Sequence, residues 1–285
     1  MASTELKGID ISNAQGNIDW KKVKGDNVQF VIIRCGWGGD YKNQDDPKFN
    51  EYVSKCEQYG IPYGVYLYSY ALTTDNARSE AQHTLRMLNG RKPKYGVWFD
   101  MEDADHYKQN HGISIYQSRQ LITDICKTYC EAIKKAGYDV GIYANYDYWK
   151  NVIYKDQVSQ YPIWLAIWGP SQPPMPCKIW QYTDAGHIDG ITANHGRVDC
   201  NIMYSTETPT INKPVIIYGM RGEEVAEMQR ALISKGYSCG KTGADGIYGQ
   251  ATKAALGAYQ ADHPECGSVD YKCGPKTWAS LLKGE

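Results

Sequence analysis

Phenylalanine is almost missing from this chain: 3 residues, against 24 tyrosines and 8 tryptophans. Rings that nearly all carry a polar handle suit a groove that is half wet and half apolar, the kind that stacks on sugar faces, although tyrosine also fills cores. An excess of one charge is missing too, since 31 Lys and Arg against 32 Asp and Glu leave a formal net charge of -1. With no Lys/Arg tract to concentrate positive charge, nucleic acid is not expected as a partner. No apolar run approaches the roughly 20 residues of a membrane span, so no membrane partner is expected. Met1 to Gly8 lack a basic segment followed by an apolar one. The expectation is a chain without a signal peptide, made in a cytoplasm.

The nine cysteines (35, 56, 126, 130, 177, 200, 239, 266 and 273) cannot all pair with one another. Free buried thiols are the expectation for most of them. Cys126 and Cys130 at i, i+4 look like half of a zinc site without a second half, and His263-x-x-Cys266 with Cys273 is as weak a signal. No metal and no cofactor are expected.

What is there centres on Gly96-Val-Trp-Phe-Asp100-Met-Glu102-Asp103. This short aromatic-rich run follows a Pro-Lys-Tyr-Gly turn and ends in carboxylates, as a buried strand reaching an active-site rim would. Alternation along a strand puts Trp98, Asp100 and Glu102 on one face and Val97, Phe99 and Met101 on the other. The two acids are rooted roughly 6.5 Å apart, close enough for each to raise the other's proton affinity. A buried carboxyl beside a second carboxylate is how one acid is kept protonated near neutral pH.

Along the chain, strands are expected at residues 7–12, 29–36, 63–71, 140–146, 162–168, 178–183 and 196–204 besides the acid-bearing one. On the first, Ile9 and Ile11 face one way and Asp10 the other. Phe49, Tyr52, Val53, Cys56 and Tyr59 have helical spacing closed by Gly60, and Ala77, Ala81, Leu85 and Leu88 mark a second helix. Ser114 is the expected N-cap of a long helix that stops at Gly137. Strand and helix alternate until about residue 160, after which strands crowd together. The fold expected is α/β: an irregular parallel (β/α) barrel with reduced later helices. In such a barrel Asp10, Asp100, Glu102 and Asp199 would meet at the C-terminal ends of strands.

These segments together resemble glycoside hydrolase family 25, the Chalaropsis-type lysozymes. The matching pieces are Lys7-Gly-Ile-Asp10-Ile-Ser12, Gly64-Val-Tyr66, Phe99-Asp100-Met101-Glu102, Gly141-Ile-Tyr143, Ile163-Trp164-Leu165-Ala166, Trp180-Gln181-Tyr182 and Val198-Asp199-Cys200-Asn201. Met101 and Cys200 stand where that family often has an aliphatic residue. The resemblance implies hydrolysis of the β-1,4 bond between N-acetylmuramic acid and N-acetylglucosamine in peptidoglycan. It implies Glu102 as general acid, Asp100 as its partner, and Asp10 and Asp199 lining the groove. Tyr66, Tyr143, Trp164, Trp168 and Gln181 are the further substrate-binding positions it suggests.

Residues 205–214, with Thr-Glu-Thr-Pro-Thr-Ile-Asn-Lys-Pro, carry no hydrophobic period and read as a linker between residues 1–204 and 215–285. Beyond it lie three expected helices: Glu223 to Lys235 ended by Gly236, one fed by the turn Asp245-Gly-Ile-Tyr-Gly249, and Pro275 to Leu282. Val225-x-x-Met228-Gln229-x-x-Leu232, Asp245-Gly-Ile-Tyr-Gly249-x-x-Thr252 and Tyr259-Gln260 resemble the peptidoglycan-binding type 1 domain. A wall-anchored muramidase follows, acting after release as a phage endolysin or an autolysin does. The competing readings are another acetamido-sugar hydrolase, chitinase-like, and a non-catalytic wall-binding protein. Oligomeric state is not legible.

Overall fold

The computed structural model describes residues 4–205 and 213–282; most of the expected linker falls outside them. The larger compact unit spans Glu5–Tyr204. Its strands are β1 (Thr4–Ile11), β2 (Phe30–Trp37), β3 (Tyr63–Tyr68), β4 (Val97–Asp100), β5 (Val140–Asn145), β6 (Ile163–Ala166), β7 (Ile179–Gly186) and β8 (Val198–Ser205), in that order around a closed barrel. β1 to β7 pair in parallel and β8 runs antiparallel to β7. The parallel barrel expected from the sequence thus closes through one reversed strand. Only eleven residues separate β7 from β8, and a parallel return needs a crossover of about a dozen or more.

The helices are α1 (Trp20–Gly25), α2 (Phe49–Tyr59), α3 (Thr74–Leu88), α4 (Tyr107–Asn110), α5 (Arg119–Lys135) and α6 (Tyr146–Asn151). After α6 no further α-helix accompanies the described barrel strands. Ser114 does not cap α5: its carbonyl accepts the N–H groups of Gln117 and Ser118 in a turn, and α5 starts at Arg119. β3 stops at Tyr68, short of the expected Ala71, because buried Glu80 draws the chain out of the sheet. Its carboxylate accepts from Ser69 Oγ at 2.9 Å and from Tyr70 N–H at 2.6 Å.

Two apolar layers follow from the period-two alternation of the strands. Ile9, Ile11, Val31, Ile33, Val97, Phe99 and Met101 pack outward among the helices, and Phe99 stacks on Tyr129 of α5 with ring centroids 4.0 Å apart. Leu6, Phe30, Ile32, Trp98, Trp164, Ile179 and Met203 fill the lumen. Glycine makes room for the largest of them: a Cβ at Gly8 would stand 2.4 Å from the Phe30 ring, and one at Gly141 would stand 2.4 Å from Trp98. Burying each such side chain is worth roughly 1.5–3 kcal/mol. The lumen below the mouth is therefore a plug, and polar side chains collect only above it.

The smaller unit, built from the residues after Tyr204, packs α7 (Glu223–Ser234), α8 (Gln250–Asp262) and α9 (Pro275–Leu281) around Val225, Met228, Leu232, Leu256, Tyr259, Trp278 and Leu281. Two of its turns are copies of one design. Asp245-Gly-Ile-Tyr-Gly-Gln-Ala-Thr252 leads into α8, and Asp270-Tyr-Lys-Cys-Gly-Pro-Lys-Thr277 leads into α9. Gln229 clamps the first, donating to Asp245, the Ile247 carbonyl and Thr252 while accepting from Gly246 N–H. Gln260 repeats each bond on the second, to Asp270, the Lys272 carbonyl and Thr277, and accepts from Tyr271 N–H. Both glutamines are buried and leave no polar atom without a partner, the condition under which burying an amide is tolerated.

Candidate active site

Asp10 lies one residue from the end of β1 and Asp100 is the last residue of β4, with Glu102 just beyond it. Asp199 sits at the start of β8, which opens onto the same rim because that strand is reversed. The expectation that all four acids lie at strand C-termini is corrected in that one respect. Strand alternation aims Asp10, Asp100 and Asp199 to the lumen side, above Trp98 and Trp164, and Glu102, past the end of β4, lies close enough for its charge to act on Asp100.

The four are electrostatically one cluster. Burial, then the charges of Glu102 and Asp10, hold Asp100 well above the usual carboxylate range. Burial and Asp199 do the same to Asp10. Glu102 is raised from 4.5 to about 7, mainly by burial, with the Lys108 charge pulling it back and Asp199, Asp105 and Asp103 pushing it up. Asp199 is raised from 3.8 to about 6 by burial, offset by the hydrogen bond it shares with Asp10. Like charges gathered in a low dielectric cannot all ionise.

Polar support is uneven. Asp10 Oδ2 accepts from Gln181 Nε2 at 2.9 Å and from Asn201 Nδ2 at 2.7 Å. Gln181 in turn accepts from Tyr143 Oη at 3.2 Å and Trp168 Nε1 at 3.4 Å, and Asn201 accepts from Trp164 Nε1 at 2.8 Å. Asp100 is 4% exposed, and its Oδ1 is buried with no partner. Asp10 is thus held in place by neighbours, whereas Asp100 keeps a buried oxygen with no partner among the described residues.

Of the aromatic positions, Trp168 is 54% exposed at the rim and Tyr66 is half-buried, its ring edge-on to Trp164. Tyr143 is nearly buried. Trp164 is 1% exposed, so it is not a wall of the groove. It forms the floor, where its ring fills the lumen and its N–H orients Asn201.

Several residues at the mouth carried no readable signal. Lys108, fully buried, donates Nζ to the carbonyls of Ser69 and Glu102, the latter at 2.9 Å. Its own N–H and that of Gln109 are held by Asp103. The loop bearing Glu102 is thereby tied down, with a cation behind the acids. Arg34 pairs with Asp46 at 2.9 Å and also donates to Asn13, bracing the ends of β1 and β2. Tyr68 and Tyr70 turn their hydroxyls to Asp105, and Tyr70 stacks on Tyr107 with ring centroids 4.3 Å apart. A lysine in a polar loop and tyrosines in a tyrosine-rich chain look like any others in sequence. Asn201 alone had a cue, its place two residues after Asp199 on the same face.

A cluster of acids buried at the mouth of a β/α barrel, with aromatic rings at its rim, is equipped for acid-assisted cleavage of a sugar chain. The family model for glycosyl hydrolases family 25 matches residues 9–191, well over half of the chain and all six barrel strands from β2 to β7. The chain belongs to glycosyl hydrolases family 25. It is therefore a glycoside hydrolase of this lysozyme family, and a peptidoglycan binding domain model matches residues 221–281 in its smaller unit.

Among relatives, Lysozyme M1 of Streptomyces globisporus is 29% identical over 210 residues, 69% of this chain and 67% of that protein. The autolytic lysozyme of Clostridium acetobutylicum is 25% identical over 262 residues, 90% of this chain and 73% of its own length. Among solved structures, the modular autolysin LytC of Streptococcus pneumoniae, in complex with a synthetic peptidoglycan ligand, has 27% identity and a TM-score of 0.62. That similarity covers 70% of this chain and 47% of the autolysin, so the family 25 chain spans less than half of that protein's length.

Proposed function

We propose that this family 25 enzyme is an N-acetylmuramidase, cleaving the β-1,4 bond between N-acetylmuramic acid and N-acetylglucosamine of bacterial peptidoglycan while its smaller unit holds the wall. The observation that carries the reading is Glu102, whose proton is held to about 7 by burial among like charges. A carboxyl half protonated near neutral pH matches the task of a general acid at working pH. Glu102 protonates the leaving oxygen. Asp100, whose buried Oδ1 has no partner among the described residues, accepts a hydrogen bond from the substrate's acetamido N–H and turns its carbonyl oxygen toward the anomeric carbon.

That assignment makes the reaction a substrate-assisted, retaining one, an exception to the usual scheme of two enzyme carboxylates. Asp10 and Asp199, hydrogen-bonded to one another, support the pair and favour the oxocarbenium-like charge. Trp168, Tyr66 and Tyr143 face the sugar, with Gln181 between Asp10 and the rim. The helical unit contributes effective concentration on a polymeric substrate. The enzyme acts on the wall after release, as an endolysin or an autolysin.

Digestion of purified walls, borohydride reduction and mass spectrometry test the bond. Reduced muramic acid ends support the proposal, and reduced glucosamine ends overturn it. NMR of the first product anomer tests the mechanism, since an initial α product is incompatible with retention.

A further inference from the structure

The two clamped turns of the smaller unit differ instructively at the residue after the aspartate. In the first it is Gly246 at φ 73°, and in the second it is Tyr271 at φ 58°. A left-handed backbone is easy for glycine and unfavourable for a side chain with a Cβ, so tyrosine there is held against its preference. Such residues concentrate where a ligand is gripped.

What surrounds Tyr271 points to the ligand. Its ring lies on Gly257 of α8, where a Cβ would stand 2.5 Å from Tyr271 Cε1, so that helix is cut back to receive the ring. The ring is nevertheless 42% exposed. One turn earlier on α8, Lys253 places Nζ 4.9 Å from the Tyr271 centroid and 5.6 Å from that of Tyr218, which is 57% exposed. Among the described residues Lys253 has no carboxylate partner. Two open rings flanking an ammonium group match a sugar face beside a carboxylate.

We propose that Tyr218, Lys253 and Tyr271 form the docking face for peptidoglycan, with a sugar ring on tyrosine and a stem-peptide carboxylate at Lys253. The assignment rests on the reading of the smaller unit as a wall-binding module. It leaves Gln229 and Gln260 as the internal clamps that present the face.

The test uses the full chain carrying Glu102→Gln, so that walls are not digested during measurement, and walls stripped of phosphate polymers with hydrofluoric acid. Co-sedimentation gives the affinity. Tyr271→Gly copies the residue of the first turn and Lys253→Gln removes the charge; each is expected to weaken binding about tenfold, the scale of a contributing interface residue. Lys253→Arg is expected to retain most of it. Thermal melts check that the variants are folded. If the parent binds and both variants bind equally well, the face is wrong and the wall-binding reading stands. A parent that sediments with neither stripped nor unstripped walls overturns both. Binding that vanishes when phosphate polymers are stripped also overturns the assignment, since the anion recognised would then be phosphate.

Discussion

The barrel mouth and the clamped turns of the smaller unit treat buried polar groups in opposite ways. Gln229 and Gln260 are buried with each amide atom satisfied, so their chemistry is spent on holding two turns together. Asp100, equally buried, keeps an oxygen unpartnered, and Glu102 holds a proton that an exposed glutamate would lose. A satisfied polar group rigidifies; an unsatisfied one stores a capacity to bind or react. The contrast separates structure from function within one chain.

Breaking the reactive side has the largest expected effect. Glu102→Gln should lower wall clearing, followed by turbidity, by about 10²–10⁴-fold, with a melting temperature no lower than the parent's because a strained acid is removed. Retention of most activity would dismiss Glu102 as the acid. Breaking the satisfied side should act on stability instead. Gln260→Leu strands the partners of one amide and should destabilise the smaller unit by about 2–3 kcal/mol in urea titration, and Gln229→Leu should match it if the two turns are true copies.

Acidity sharpens the comparison further. The carboxyl of Glu102 is raised from 4.5 to about 7 on folding, so the folded chain binds more protons across that window. Its stabilising contribution is full below 4.5 and is lost as pH rises through about 7. Activity should fall over the same limb, as the acid deprotonates, and Glu102→Gln should flatten the stability profile. Lys108 lowers the proton affinity of Glu102, so Lys108→Met should move the alkaline limb of kcat/KM upward. An unmoved limb would reduce Lys108 to a purely structural tie. The smallest effect belongs to Trp168→Ala at the exposed rim, expected to raise KM a few-fold with little change in kcat, as lost uniform binding does.

Much of the site was legible because its positions follow strand alternation. Val97, Phe99 and Met101 pack outward while Trp98 faces the lumen with Asp100, as period two requires. The helix end marked by Gly60 lies in left-handed geometry at α2. The start of α5 misled because Ser114 serves a preceding turn, and a serine before an apolar period looks the same in either role. The second clamped turn went unread because Asp-Tyr-Lys-Cys-Gly shares only its aspartate and glycine with Asp-Gly-Ile-Tyr-Gly.

Sequence alone determined which acids lie on which face of which strand and where two differently textured regions divide, because side-chain periodicity and turn chemistry are local. Tertiary structure alone decided that β8 reverses and so brings Asp199 to the mouth, that Trp164 lies beneath the groove, and that a buried lysine stands behind Glu102. Each of those depends on contacts between residues far apart along the chain, and proton affinity depends on the burial such contacts create.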